Sequence, residues 1–527
     1  IKEYLLDNNH KSIISLVPEY GLEKEKEQKE ADKLAEYKST LTNDELEELV
    51  KKTKELKEYQ DTPSSQEDLE KIPMLELSDI KREPAKDYND VKSVDGIKIV
   101  HHNIFTNKIA YINMSFDTKC VPDELIPYMG LLGSTLSLMD TKNYTYPELT
   151  NEININCGGL ATGTALYSDK VDFSKNTIVY EVKSKALYEK VPFVLGMMEE
   201  IMYNTRFDDY KRLKEIIARI KSRLEASLMG QGHSIAMLEC CAQFSESAYY
   251  SDILRGYKYY EFIKKLDEEF EQNKTQIVDK LNKLVGYIFN KDNVIVSLTA
   301  DDEGYDCFVK ALSAKSCNIK DEHYNTAVRS FIPVNVKTGY TSASQVQYVA
   351  RCGNFVKDGY KYTGALKVLK VIFSYDYLWI NVRVKGGAYG CMSGSSRNGD
   401  FYMVSYRDPN LEKTNDIYEG AADYIRNFNV SRRDMVKFII GTIGEIDAPL
   451  TPSAIGSRSF THYMCNCTED MLRKDREEVL DATVESIREL APLIESAVGQ
   501  NYLCVVGNQK QINEAADLFD EIKPLIG

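Results

Sequence analysis

One order of elements occurs twice along this chain. In Phe207–Phe244 a long helical stretch meets a Gly/Ser break and resumes as a helix, and Val430–Cys465 repeats that pattern. Asn293–Leu312 reads as strand, turn and helix, and Asn501–Leu525 mirrors it, read as a strand followed by a closing helix over Gln511–Leu525. A repeat of this kind predicts two modules of about 200 residues with one fold. Each is expected to be α+β, a mostly antiparallel sheet covered by helices.

Hydrophobic period sets the elements inside the modules. In the first, Ala110, Ile112, Met114 and Phe116 alternate with polar neighbours, which predicts a strand over Ile109–Phe116. A buried helix is expected over Leu125–Met139, a turn at Asn156–Gly159, a strand over Asn176–Val182 and a helix over Ala186–Tyr203. In the second, Val346, Tyr348 and Ala350 alternate. Leu366, Leu369, Ile372 and Phe373 share one face of a helix over Tyr362–Tyr375. Asn398-Gly399 between Ala388–Ser393 and Asp400–Tyr406 is a hairpin signal.

Ahead of the modules lies a different composition. From Gly21 the chain is charged and rich in helix formers, and Ser39-Thr40-Leu41 interrupts it. Thr42-Asn43-Asp44-Glu45 has the capping-box pattern that opens a second helix, and Thr62-Pro63-Ser64-Ser65 closes it. Two charged helices with a short turn make a helical hairpin, either a bridge between domains or a solvated arm. Ile72 to Asn89 reads as a linker. The expected domains are a connector over 1–85 and modules over 86–318 and 319–527.

Composition narrows the function classes. The 527 residues are 43% hydrophobic and 28% charged, as in an ordinary globular protein. Lys+Arg 66 against Asp+Glu 81 leaves −15, a poor charge for holding nucleic acid or anionic lipid, so neither is expected as a partner. The longest uncharged apolar stretch contains Pro127 and Gly130 and is too short for the roughly 20 residues a membrane helix needs. Eleven scattered cysteines fit a reducing compartment. The chain opens on Ile1 and not Met, as expected of a piece of something longer.

Familiar catalytic motifs do not occur: no phosphate loop, no dinucleotide fingerprint, no G-x-S-x-G elbow and no kinase signature. No two of the six histidines stand four apart, so no helix presents an H-x-x-x-H pair. His101-His102 sit on a strand, where neighbours face opposite ways. His462 with Cys465 and Cys467 reads as a helix end with buried thiols. Cys240-Cys241 reads as core.

The informative stretch is Trp379–Gly390, where a helix ends at Gly386-Gly387 and a strand begins at Ala388. Such a turn can bring the Arg383 guanidinium and the Tyr389 phenol together as donors for carbonyl or oxyanion oxygens. Equally, Arg383 can serve the helix C-terminus and Tyr389 the core.

Val382–Gly390, followed by Ser405-Tyr406-Arg407-Asp408-Pro409-Asn410, resembles the C-terminal half of insulinase-type zinc metallopeptidases, in their presequence-protease branch. The hairpin followed by Lys71–Leu75 and Leu77–Ile80 is similar to that branch's connector. The resemblance implies hairpin plus third and fourth modules of a peptidase that encloses unfolded peptides, in the cytoplasm or an organellar matrix. Its partner would be the N-terminal half of the same enzyme. Zinc would be held there by an inverted H-x-x-E-H helix. The matching stretch here, Tyr128-Met129-Gly130-Leu131-Leu132, has no ligand, so no metal is expected on this chain. Arg383 and Tyr389 match the family's Arg and Tyr that hold the substrate backbone and stabilise the tetrahedral intermediate. The alternative is a non-catalytic peptide-holding subunit that pairs with a separate active half.

Overall fold

The computed structural model describes residues 1–17, 21–62, 64–314 and 319–526. Pro63 of the helix-stop signal and residue 318, the expected module boundary, lie outside the described residues. The chain divides into two compact units, Ile1–Leu75 and Glu76–Gly527.

The first unit holds the two charged helices, Leu22–Thr40 and Asn43–Asp61. Thr42 caps the second: its hydroxyl accepts from Glu45 N at 3.3 Å, and the Glu45 carboxylate accepts from Thr42 N at 2.9 Å. None of the described residues of this unit is buried. Its scarce leucines, Leu34, Leu49 and Leu56, are exposed.

The second unit contains two six-stranded sheets. The first is built from β1 (Asp90–Val94), β2 (Ile97–Asn103), β3 (Ile109–Asp117), β4 (Leu160–Ser168), β5 (Asn176–Leu187) and β6 (Val294–Ala300), in the order β1-β2-β6-β3-β5-β4. The second is built from β7 (Thr338–Ser342), β8 (Tyr348–Asn354), β9 (Gly390–Ser395), β10 (Asp400–Tyr406), β11 (Tyr502–Asn508) and β12 (Glu521–Pro524), in the order β12-β7-β11-β8-β10-β9. Without the edge strands β1 and β12 the two orders coincide, and so does the sense of every pairing. β2 and β6 run parallel, as do β7 and β11, and the other shared pairs are antiparallel. The duplicated order in the sequence is a duplicated topology.

Each sheet buries one face on its own helices. Ile112, Met114, Phe116, Tyr180 and Val182 face Met129, Leu131, Ile201 and Leu281 in the first; Val349, Phe401, Leu503 and Val505 face Leu366, Leu369, Ile439 and Ile494 in the second. The other faces are covered reciprocally. The first module's helix Gly232–Ala242 lies on β8, β10 and β11, and the second module's helix Pro452–Met464 lies on β2 and β6. The approach is close at both crossings. A Cβ on Gly232 would sit 2.3 Å from the Tyr348 ring, and one on Gly456 would sit 1.8 Å from Thr299 Oγ1. The segment Glu76–Asn89, read as a linker, is tied to the second module. Leu77 and Ile80 pack on its core, Arg82 pairs with Asp481 at 2.7 Å, and Asn89 donates to Ser459 O at 2.9 Å.

Three expectations need correction. β4 escaped the sequence reading because Leu160-Ala161-Thr162-Gly163-Thr164-Ala165 is made of small residues with weak strand propensity. β5 continues to Leu187, so the helix expected from Ala186 starts at Val191, where Pro192 suits a first turn. The closing helix Gln509–Glu514 is short, and the chain then pairs as β12 parallel to β7.

A buried carboxyl sits under the second sheet's crossing. Asp252 is fully enclosed, with Lys258 Nζ 3.4 Å from its Oδ2. It lies against Glu239, whose other oxygen accepts from Tyr340 OH at 2.8 Å. Burial, then the Glu239 charge, raises Asp252 well above the usual carboxylate range. A raised folded value favours the protonated folded state. The stability it contributes is complete below the unfolded value and is lost as pH rises through the folded one. Asp252→Asn keeps the neutral shape, so its melting temperature should exceed wild type at pH 8, with the gap closing toward pH 5. A pH-independent gap between the two melting curves would refute this.

Candidate functional site

The helix that opens the second module's site begins as α-helix, Ala365–Ile372, and widens into π-helical turns over Phe373–Tyr377 and Trp379–Val384. Leu378 and Val382 are fully buried in the second core. They anchor the widened turns and direct Trp379 and Arg383 outward. The Arg383 guanidinium carbon stands 4.3 Å from the Trp379 ring centroid, a cation–π contact. π-helical turns occur most often at functional sites.

The chain then reverses through Gly386-Gly387. Gly387 has φ +83°, a left-handed conformation that a side chain would strain. Its N–H donates to Arg383 O at 2.8 Å, and Ala388 N donates to Val382 O at 3.1 Å. These bonds finish the helix and send Tyr389 back past Arg383. The guanidinium donates to the Tyr389 carbonyl, and its carbon lies 5.4 Å from the Tyr389 ring centroid. The structure thus brings the two sequence-predicted residues together. Tyr389 is 64% exposed, which excludes the alternative that placed it in the core.

The string Ser405–Asn410 supplies the bracket that holds this turn. Tyr389 N donates to Tyr406 O at 3.1 Å, and the Tyr406 ring meets the Tyr389 ring edge-on at 5.9 Å. Asn410 Nδ2 donates to Gly386 O at 2.6 Å, closing the turn from the other side. Asp408 is fully buried; its backbone exchanges two bonds with Gln347, and its carboxylate accepts from Thr414 Oγ1 at 2.7 Å and Asn410 N at 2.9 Å. Burial pushes the Asp408 carboxyl above its ordinary range. Sequence reasoning gave these residues no role. Their signal was the Asp-Pro-Asn turn chemistry after a strand.

Around the pair the surface is apolar. Tyr375, Trp379, Ile380 and Val384 are all exposed beside Tyr389. The rim therefore offers a fixed guanidinium, a solvated phenol and a run of apolar side chains. An extended backbone could lie along it, its carbonyls within reach of the two donors.

Comparison with known proteins places this geometry. The family described as Peptidase M16 (subfamily C) associated matches residues 16–266, and the one described as PreP C-terminal domain matches residues 339–508. The chain belongs to the presequence-protease-like M16 peptidases. It is 39% identical to Protein HypA of Clostridium perfringens over all of its own length and 54% of that protein's. It is 29% identical to Presequence protease 1, chloroplastic/mitochondrial, of Arabidopsis thaliana, over 49% of that protein. It thus spans about half the length of these relatives. The solved peptidase M16 inactive domain from Pseudomonas fluorescens shares the fold, with a TM-score of 0.56 at 15% identity, covering 83% of this chain and 98% of that one.

M16 peptidases are usually zinc-dependent, and this chain's residues do not fit a zinc site where the family would place one. The helix Ile126–Thr135 buries Tyr128, Met129, Leu131 and Leu132 in the first core. The histidine rings are engaged elsewhere. His102 uses one nitrogen on Tyr88 O and the other on Ser297 Oγ at 2.9 Å, and burial lowers it to about 4. His101 bonds Ala300 O at 2.9 Å, and His462 bonds Asp87 at 2.7 Å. Among the described residues one group, Asp292, Asp321 and His323, brings possible ligand atoms together, and all three are exposed. Also among the described residues, no helix is long and apolar enough to cross a membrane.

Proposed function

We propose that this chain is the C-terminal half of a zinc-dependent oligopeptidase that encloses and cleaves unfolded peptides. The hairpin of 1–85 is then the connector, 86–318 the third module and 319–527 the fourth. Zinc and its ligands belong to the N-terminal half. This half contributes Arg383, which grips a backbone carbonyl of the substrate, and Tyr389, whose phenol donates to the oxyanion as it forms. The observation that carries this reading is the pairing of Arg383 with an outward-facing Tyr389 on an exposed apolar rim. The relatives named as mitochondrial or chloroplastic proteases support an organellar matrix or, where there is no organelle, the cytoplasm.

Complementation tests the division of labour. The chain alone should hydrolyse no quenched-fluorescence peptide, and mixing it with the matching N-terminal half should raise chelator-sensitive hydrolysis at least tenfold above that half alone, about 1.4 kcal/mol. Chelator-sensitive hydrolysis by the isolated chain would overturn the proposal. No gain on mixing, with peptide still held by this chain, would instead favour the non-catalytic partner subunit.

A further inference from the structure

The first sheet's second face is built of polar and small residues. Register places Tyr111 opposite Lys185 and Thr299, and Asn113 opposite Lys183 and Ser297. On the edge strand, Ala161 stands opposite Lys183. The small β4 side chains leave space above the lysines. A cavity of about 410 Å³ opens there, closed on one side by the second module's helix Pro452–Met464. That volume is in the range of pockets that hold small ligands or single peptide residues, roughly 300–1,000 Å³.

The helix presents Ser453, Ser457 and Thr461 to the cavity, one hydroxyl per turn, with Phe460 beside them. Ser297 and Thr299 add two more hydroxyls from β6, and Tyr167 stands with Phe460 as an aromatic wall. No Asp or Glu among the described residues lines the cavity, although the chain carries −15 overall. The nearby Glu181 is already occupied: Lys183 Nζ sits 2.5 Å from it, Asn113 Nδ2 donates at 2.8 Å and Tyr167 OH at 3.0 Å. Lys185 lies two residues further along the same face and is exposed, with no ion pair among the described residues. The cavity is therefore hydroxyl-rich and cationic at one end and aromatic at the other.

The geometry points to a binding site for the C-terminal residue of a peptide. Its free carboxylate faces Lys185 and the helix hydroxyls, and its side chain packs on Phe460 and Tyr167. The inference rests on the proposed peptide-handling role and adds a second contact point, on the other module from the Arg383–Tyr389 rim. Charge complementarity selects this occupant: a carboxylate supplies the negative charge that the lining lacks, and an amidated terminus does not.

The test uses the whole chain and two labelled peptides identical except at the C-terminus, one a free acid and one an amide, followed by fluorescence anisotropy. Wild type should bind the acid about tenfold more tightly. Lys185→Ala should remove most of that preference while the amide's affinity holds. Ser457→Trp, at an exposed position and so compatible with folding, should block both peptides, with melting temperature as the control. Equal affinity for acid and amide in wild type, or a preference that survives both substitutions, overturns the site. Binding of inorganic phosphate as tight as the acid peptide's also overturns it, since the site would then hold an anion alone. The two proposals fail separately. Hydrolysis on complementation without an acid preference removes only this cavity's role, and an acid preference without hydrolysis removes only the enzymatic reading.

Discussion

Tyr389→Phe should lower kcat of the reassembled enzyme by about 10²–10³, roughly 3–4 kcal/mol, with little change in KM. The ring stays, so its edge-on contact with Tyr406 and its backbone bonds to Tyr406 and Arg407 are untouched. Only the phenolic O–H is lost. A donor aimed at a developing oxyanion acts mainly in the transition state, so its loss is felt in kcat. Arg383→Ala should damage both kcat and KM. Its guanidinium offers donors to a ground-state carbonyl, and it also ties Tyr389 to the helix through the Tyr389 carbonyl. Steady-state kinetics on one unstructured peptide, with melting temperature as control, separates the roles. Wild-type kcat for Tyr389→Phe would end the assignment of that residue.

The repeat was legible because the long helical stretches have strong periodicity and Gly/Ser breaks at matching places. Gly232 and Gly456 are where the two helices cross onto the partner sheets. The hairpin start was legible from four residues, Thr42 to Glu45, because a capping box is local chemistry. The pair Arg383 and Tyr389 came from a string and from resemblance, and its environment could not be foreseen. Trp379 under the guanidinium depends on widened π-helical turns, which a 3.6-residue period does not announce. The bracket by Asn410 and Asp408 depends on a contact across more than twenty residues. β4 was missed for a related reason. Its small residues look like a loop in isolation, and become a strand only when β5 supplies the pairing. The cavity over Lys183 and Lys185 needs register between strands and a helix from the other module, and neither is written in local sequence.

Gly353→Ala should be among the most destabilising single-methyl changes in this chain. Gly353 lies in β8, flanked by Cys352 and Asn354, where the C-terminal end of the helix Ala491–Gly499 docks on the strand. A Cβ there would stand 1.9 Å from the carbonyl oxygen of Ala497 and 2.6 Å from its carbon. The obstacle is backbone and cannot rotate away. Nor can the helix retreat cheaply, because three sets of bonds fix it to the strand. Arg351 donates to Val498 O through Nε at 3.2 Å and Nη2 at 3.1 Å; Gln500 Nε2 donates to Asn354 O at 2.8 Å; and Asn354 N donates to Gln500 Oε1 at 2.8 Å. Any shift that admits the methyl loosens bonds that hold the buried Arg351. Overpacking typically costs about 1–3 kcal/mol, and a clash with fixed backbone belongs at or above the top of that range. Gly499→Ala is the matched control two residues beyond Ala497. Nothing lies within 4 Å of its added Cβ, so the change should be neutral or stabilise by about 0.4–1 kcal/mol through the unfolded chain. Urea unfolding of the two variants beside wild type reads the difference. A Gly353→Ala midpoint equal to that of Gly499→Ala would mean that the strand and the helix do not meet as closely as these distances require.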